Sequence, residues 1–464
     1  MLRLLQLWLT IAVLVLAPLF FGSVELFWVA TWTIVLSIGT VCGLGFSLEL
    51  GQTRILMVFC AACGLYGAVS IIQIAPDAII GLGDEIWRKS GDLLSLNLMP
   101  RISSRARIPP LAIGHALLFA AAFINGFCVC TSGNGADKLF RFARFSILAY
   151  AIYGFVDFLF TPNYLLWSEK TAYLGSLTGT FVNHNTAATF FGAGGILWFC
   201  SAYSSARAIR LSSVRTFLLS RSNERLIFKL IARGGGGLVC VAALLQTASR
   251  GGIICSFAGL FVALMLLLVK ERTARFWTMP LIASAAVAVI VAVLSRTGRI
   301  ASEGLVDQGR WSVYALLLDA IKRRPLLGSG LGTFADQFPA LRSSDLPSWG
   351  VWDYAHSTIL EIAVEMGAPI AIVVLLVAVL SVLVLARTAL TAKGQDRLLT
   401  SAVGGIAVLT YLHALIDFSL QIPGYFIVFA ILLGGGLARA SSNDGSLAIL
   451  ERGQRTVSSR PQAP

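Results

Sequence analysis

Long apolar runs separated by short polar breaks fill most of the 464-residue chain, and within each run hydrophobicity is continuous rather than alternating. Runs of about 17–25 apolar residues cross hydrocarbon as helices, whereas barrel strands would alternate apolar and polar positions. About twelve spans are expected, near residues 5–21, 28–46, 55–75, 111–130, 145–161, 186–203, 234–248, 253–269, 277–295, 358–386, 401–416 and 424–438. The first run, "MLRLLQLWLTIAVLVLAPLFFG", lacks a small-x-small cleavage site and another run follows almost at once. It therefore reads as a span rather than a leader. The pattern specifies an all-α polytopic integral membrane protein. Residues 1–438 form one transmembrane domain, and 439–464 form a polar, disordered tail.

Two breaks are long, about 76–110 and 296–357, the second lying before the tenth span and large enough for a small folded element. Within it, "RWSVYALLLDAIKRR" predicts an amphipathic helix ending before Pro325. "PLLGSGLGTF" then supplies Gly328, Gly330 and Gly332 as turn residues. No βαβ pattern surrounds these glycines, so they do not form a dinucleotide fingerprint.

The composition agrees: 57% hydrophobic, 13% charged and a mean hydropathy of +0.80 exclude a soluble domain. A net charge of +13 could suit nucleic acid, but its distribution points elsewhere. The segment 204–233 carries Arg207, Arg210, Arg215, Arg221, Arg225, Lys229 and Arg233 against Glu224 alone. About 22 of the 36 Lys and Arg share its side of the membrane with about 7 acids, against about 14 and about 13 opposite. The positive-inside rule makes that face, with both termini, cytoplasmic, and anionic lipid accounts for the excess charge. All eight cysteines lie in apolar runs; Cys60 and Cys63 form one C-x-x-C without a second pair, so all eight read as buried small hydrophobes.

Five polar features remain, all at the outer ends of the spans under this topology. In "WDYAHSTILEIAVEMG", His356 stands where the large loop re-enters the membrane, either as a general base or as an interface residue with Trp349, Trp352 and Tyr354. Glu361 and Glu365 follow at i, i+4 and share an inward helix face, either orienting a basic group or simply hydrogen-bonded inside. In "LLQTASRGGIICS", Arg250 sits in a very short connection between two spans. A guanidinium beside exposed glycine backbone suits phosphate oxygens, while snorkelling to headgroups would explain the same residue. "DQGRWSVY" places Arg310 at the start of the loop helix near Asp307, as a phosphate contact or a surface ion pair. "GTFVNHNTAATFF" sets Asn183, His184 and Asn185 at a span's outer end, where capping accounts for one asparagine. "HALIDFSLQIPG" spaces His413 and Asp417 at i, i+4, as a functional pair or a structural one. No H-E-x-x-H, D-x-D or phosphate-loop motif accompanies them, so neither a metal nor a cofactor is expected.

Taken in order, "GTFVNHN", "TASRGG", "GRWSVYALLLDAIKRRPLLGSGLGTF", "AHSTILEIAVEMG" and "HALIDFSLQIP" resemble the O-antigen ligase/polymerase family of bacterial envelope glycosyltransferases over roughly residues 170–440. The family's A-H-N-x-x-L pattern is matched except at Ser357, which replaces the asparagine. The resemblance implies an inner-membrane enzyme whose donor is a glycan on undecaprenyl pyrophosphate. The glycan would pass at the periplasmic face to a hydroxyl of lipid A–core in the ligase branch, or to another lipid-linked repeat in the polymerase branch. Carried over by motif, His356 would be the catalytic base, and Arg250 and Arg310 the pyrophosphate ligands, in one inverting, metal-independent displacement. Asn183, Asn185, Glu365, His413 and Asp417 would support them. A flippase for the same lipid-linked glycan is the competing class, but it would place charge through the midplane and show repeated halves.

The topology is directly testable. A cysteine introduced at Ser343 should react with a membrane-impermeant reagent from the outside of intact cells. Labelling only after permeabilisation would reverse the orientation.

Overall fold

Backbone amides in hydrocarbon must be satisfied within their own segment, and helices do this. The computed structural model describes residues 1–43, 45, 47–76, 81–208, 221–269, 308–342 and 352–442. Its helices are α1 Leu2–Leu16, α2 Leu26–Gly43, α3 Leu50–Ile74, α4 Glu85–Leu94, α5 Pro110–Cys130, α6 Gly133–Phe160 and α7 His184–Ala208. They continue with α8 Arg221–Gln246, α9 Arg250–Leu268, α10 Gln308–Arg323, α11 Phe334–Leu341 and α12 Thr358–Met366. α13 Ala368–Thr391, α14 Gly394–Ala414 and α15 Pro423–Ser441 complete the described set. A two-stranded ribbon, β1 Tyr164–Leu165 with β2 Ser168–Glu169, is the sheet among the described residues. Eight of the described helices are long and apolar enough to cross a membrane. The chain is a polytopic, all-α membrane protein.

The most enclosed element is α15, 94% buried along its apolar window and packed against α5, α14 and the end of α1. α7 packs on α8, and α9 on α14. α3 is the converse case, only 11% buried, with Cys60 and Cys63 exposed on it rather than buried as the sequence suggested. Apolar surface presented outward is what a lipid-facing helix requires.

Most expected spans coincide with helices within a few residues, and the run 277–295 lies outside the described residues. The first helix is short, ending at Leu16 before a 3₁₀ turn at Phe21–Ser23. The last runs on to Ser441, past the expected start of the tail. The main correction is the run 358–386, which is two helices broken at Gly367. Gly367 holds φ 86° and ψ 160°, a region accessible essentially to glycine, and a Cβ there would strike the Leu326 carbonyl. Ala368 N donates to Pro325 O at 2.8 Å, fastening the break to the large loop.

The amphipathic loop helix forms as expected in α10, ending at Arg323. Gly328, Gly330 and Gly332 are turn residues, all with positive φ. The two long breaks bind each other: Arg324 pairs with buried Asp84 at 2.5 Å, and Ser104 N donates to Ser329 O at 3.2 Å.

Gly367→Ala should destabilise the protein by about 1–3 kcal/mol, the typical cost of a backbone held in a forbidden region. Thermal unfolding in detergent should show a lowered midpoint. Gly64→Ala, on the open face of α3, should leave it unchanged or slightly raised. Equal midpoints for the two variants would remove the constraint assigned to Gly367.

Candidate functional site

A buried carboxylate organises the starts of α7 and α9 and the end of α14. α14 ends at Ala414, so Asp417 lies beyond it and the helical i, i+4 register with His413 is lost. The two side chains do not bond each other directly but share Ser419 Oγ, 3.3 Å from His413 Nδ1 and 3.5 Å from Asp417 Oδ1. Asp417 Oδ2 accepts from Asn185 Nδ2 at 2.7 Å, and its Oδ1 from Phe418 N at 2.8 Å. His413 Nδ1 meets Thr189 Oγ1 at 2.8 Å and Ser419 Oγ at 3.3 Å.

Asn185 continues the chain of bonds. Its Oδ1 accepts from Ser249 Oγ at 2.6 Å, while Ser249 caps α9 by accepting from Gly252 N at 3.2 Å. The two asparagines therefore divide the work. Asn183 Oδ1 accepts from Asn185 N at 2.7 Å in the manner of a helix cap, leaving the Asn185 side chain to bridge Asp417 and Ser249. His184 Nδ1 lies 2.8 Å from Thr247 O, and its ring stacks on Tyr173 at 4.2 Å.

Arg250 is the first residue of α9, half-buried and adjoining this network. The glycines after it are not the exposed backbone that the sequence suggested. They lie inside the helix, where a Cβ on Gly252 would come within 2.5 Å of Ala188 and one on Gly251 within 2.8 Å of Ile416. Their smallness lets α9 approach α7 and the end of α14.

The loop residues arrive from the other side. Arg310 is in the first turn of α10, and its Nη1 donates to Ile416 O at 3.1 Å, next to Asp417; Asp307 lies outside the described residues. His356 is half-buried at φ 51°, a left-handed conformation uncommon for a residue with a Cβ. Tyr314 Oη donates to the His356 carbonyl at 2.7 Å. Trp352 and Phe418 meet the imidazole edge-on at 5.2 and 4.9 Å, and Tyr354 stacks on Phe418 at 4.5 Å. Ser357 caps α12 through Leu360 N at 3.4 Å, a task for which a serine serves as well as an asparagine. Thr358 Oγ1 donates to Asp417 O at 3.3 Å, closing the ring of contacts. Burial raises the Asp417 carboxyl, while the nearby His356 and Arg310 and the donors Phe418 N and Asn185 pull against it.

Glu361 and Glu365 serve differently. Glu361 Oε2 accepts from Ala355 N at 2.7 Å, beside His356 in sequence. The Glu365 oxygens accept from Gly332 N and Phe334 N, each at 2.9 Å, so Glu365 organises the glycine turn rather than joining the Asp417 cluster. Burial pushes both carboxyls up, and the backbone donors to Glu365 pull against it. Sequence reasoning overlooked Gln73, which donates to Leu327 O at 2.6 Å and Glu365 O at 2.7 Å and accepts from Leu331 N at 3.0 Å. Its signal was an amide at the end of an apolar run, "SIIQIAP". Tyr314 and Phe418 were also missed, since their importance comes from contacts with His356 that no local spacing encodes.

Residues 235–375 match the model of the O-antigen ligase family. The match covers less than a third of the chain. The matched stretch takes in Arg250, Arg310, His356 and Glu365, whereas Asn183, Asn185, His413 and Asp417 fall outside it. No curated protein matches the chain. The family match supports, in general terms, a function of the O-antigen ligase/polymerase type for this membrane protein.

Asn185→Ala and Asp417→Ala should each destabilise the fold by about 1–3 kcal/mol, because each strands a buried partner. In a double-mutant cycle the coupling should reach about 0.5–3 kcal/mol. Strict additivity would mean that the bond between them contributes nothing.

Proposed function

We propose that the protein is an O-antigen ligase of the bacterial inner membrane, moving a glycan from undecaprenyl pyrophosphate to a hydroxyl of lipid A–core at the periplasmic face. In this reading residues 1–438 are one transmembrane domain with the loop inserted, and both termini are cytoplasmic. The observation that carries it is that Arg310 reaches Ile416 O and His356 packs on Phe418, the two residues flanking buried Asp417, with Arg250 beginning the helix whose cap joins the same bond chain.

His356 takes the proton of the acceptor hydroxyl. The acceptor oxygen then bonds to the anomeric carbon as the bond from that carbon to the pyrophosphate oxygen breaks. A single displacement inverts the anomeric configuration. Asp417 offsets the charge of the imidazolium formed, Trp352 and Phe418 flank the ring, and Tyr314 holds the His356 carbonyl. Arg250 and Arg310 hold the pyrophosphate and stabilise its charge as it leaves, the work a divalent ion does in other phosphate chemistry.

His356→Ala should lower the single-turnover rate by about 10²–10⁴-fold while leaving donor binding nearly intact. Arg250→Ala and Arg310→Ala should weaken donor binding as well, with lysine rescuing only in part because it lacks the bidentate fork. Both are measured in lipid nanodiscs. An active His356→Ala enzyme, or equal binding losses in all three variants, would end this division of roles. Deleting the gene should leave lipid A–core without O-chain; core bearing one repeat would instead indicate the polymerase branch.

A further inference from the structure

At the end of the bundle opposite Asp417, cationic side chains surround a cavity of about 210 Å³. Its walls come from the first turns of α6, the last turns of α7, α8 and the start of α14. Arg141, Arg144 and Arg233 line it together with Asp137. The charges of Arg233 and Arg141 act on Arg144 with like sign, against the opposite sign of Asp137.

The hydrogen bonds of this cluster do not balance its charge. Arg144 Nη1 donates to Ser201 Oγ at 2.7 Å. Arg233 Nη1 donates to Ser201 O at 3.1 Å, Ser204 Oγ at 3.0 Å and Ser205 Oγ at 2.7 Å. Hydroxyls and carbonyls satisfy donors but carry no negative charge. Arg144 Nε is buried and makes no hydrogen bond, an arrangement that is costly until an acceptor arrives.

Apolar surface adjoins the cavity. α6 exposes Phe142 and Phe145 beside Arg144. Phe145 meets Trp198 edge-on at 5.0 Å, and the Arg144 guanidinium lies 5.5 Å and 5.2 Å from the two ring centres. A cationic pocket lined by serine hydroxyls, with exposed aromatic rings beside Arg144, matches a ligand with an anionic phosphate at one end and hydrocarbon at the other.

We propose that this cavity binds the headgroup phosphate of an anionic phospholipid, with Arg141, Arg144 and Arg233 around the phosphate and an acyl chain along Phe142 and Phe145. The site is distant from His356 and independent of the transfer proposed above. A free phosphate anion offers the same oxygens without the chain, and the experiment separates the two.

The delipidated protein in detergent is titrated with phosphatidylglycerol, phosphatidylcholine or inorganic phosphate, and the thermal unfolding midpoint is read. Phosphatidylglycerol should raise the midpoint well above either alternative. Its apparent affinity should fall about tenfold or more in Arg144→Gln/Arg233→Gln, as expected for lost charge-assisted bonds. It should fall also in Arg141→Gln, an exposed position whose change spares the fold. Arg387→Gln, exposed on α13, should bind as wild type. Equal responses to the two lipids, or unchanged affinity in Arg141→Gln, would overturn the site. Stabilisation by inorganic phosphate equal to that by phosphatidylglycerol would overturn the headgroup assignment in favour of a soluble anion.

Discussion

The bond chain from Asp417 through Asn185 to Ser249 is the constraint on which this end of the helix bundle depends. A carboxylate removed from water needs donors, and here they come from elements far apart in sequence. Meeting that need fixes the start of α7 against the start of α9 and the segment after α14. Arg310, Thr358 and His356 meet the same short segment at Ile416, Asp417 and Phe418, so the residues around this carboxylate also receive the polar groups of the loop.

A second constraint keeps the loop in place. Gly367 divides what could have been one long helix, and the resulting corner receives the glycine turn at Gly328–Gly332. Glu365 and Gln73 satisfy the backbone amides that this turn exposes to a dry interior. Glu361 does the same for Ala355, next to His356. These polar groups are thus structural support for a histidine whose own backbone is held in a left-handed conformation, and strain of that kind persists only where its surroundings over-determine it.

Much of this was legible in the sequence, because hydrocarbon permits so few solutions. Continuous apolar runs gave the helices, and charged or amide side chains at their outer ends marked the cluster. The two asparagines beside His184 exceeded what capping requires, and the surplus one is the bridge. What could not be read was three-dimensional. The i, i+4 spacing of His413 and Asp417 suggested a pair, yet the helix stops between them. The glycines after Arg250 read as exposed backbone but serve close helix packing. Glu365 shared a motif with His356 while belonging to a different contact. The break at Gly367 was hidden because apolar residues on both sides continued the hydropathy of a single span.

In the proposed function this cluster transfers a glycan rather than carrying one across the membrane. The most direct measurement uses purified protein in proteoliposomes with lipid-linked glycan donor and lipid A–core acceptor, and follows both products. Released undecaprenyl pyrophosphate should appear in equal amount to glycan-bearing acceptor, and both should vanish in Arg310→Ala. Movement of intact donor between leaflets, without released pyrophosphate, would contradict the claim and make the protein a transporter.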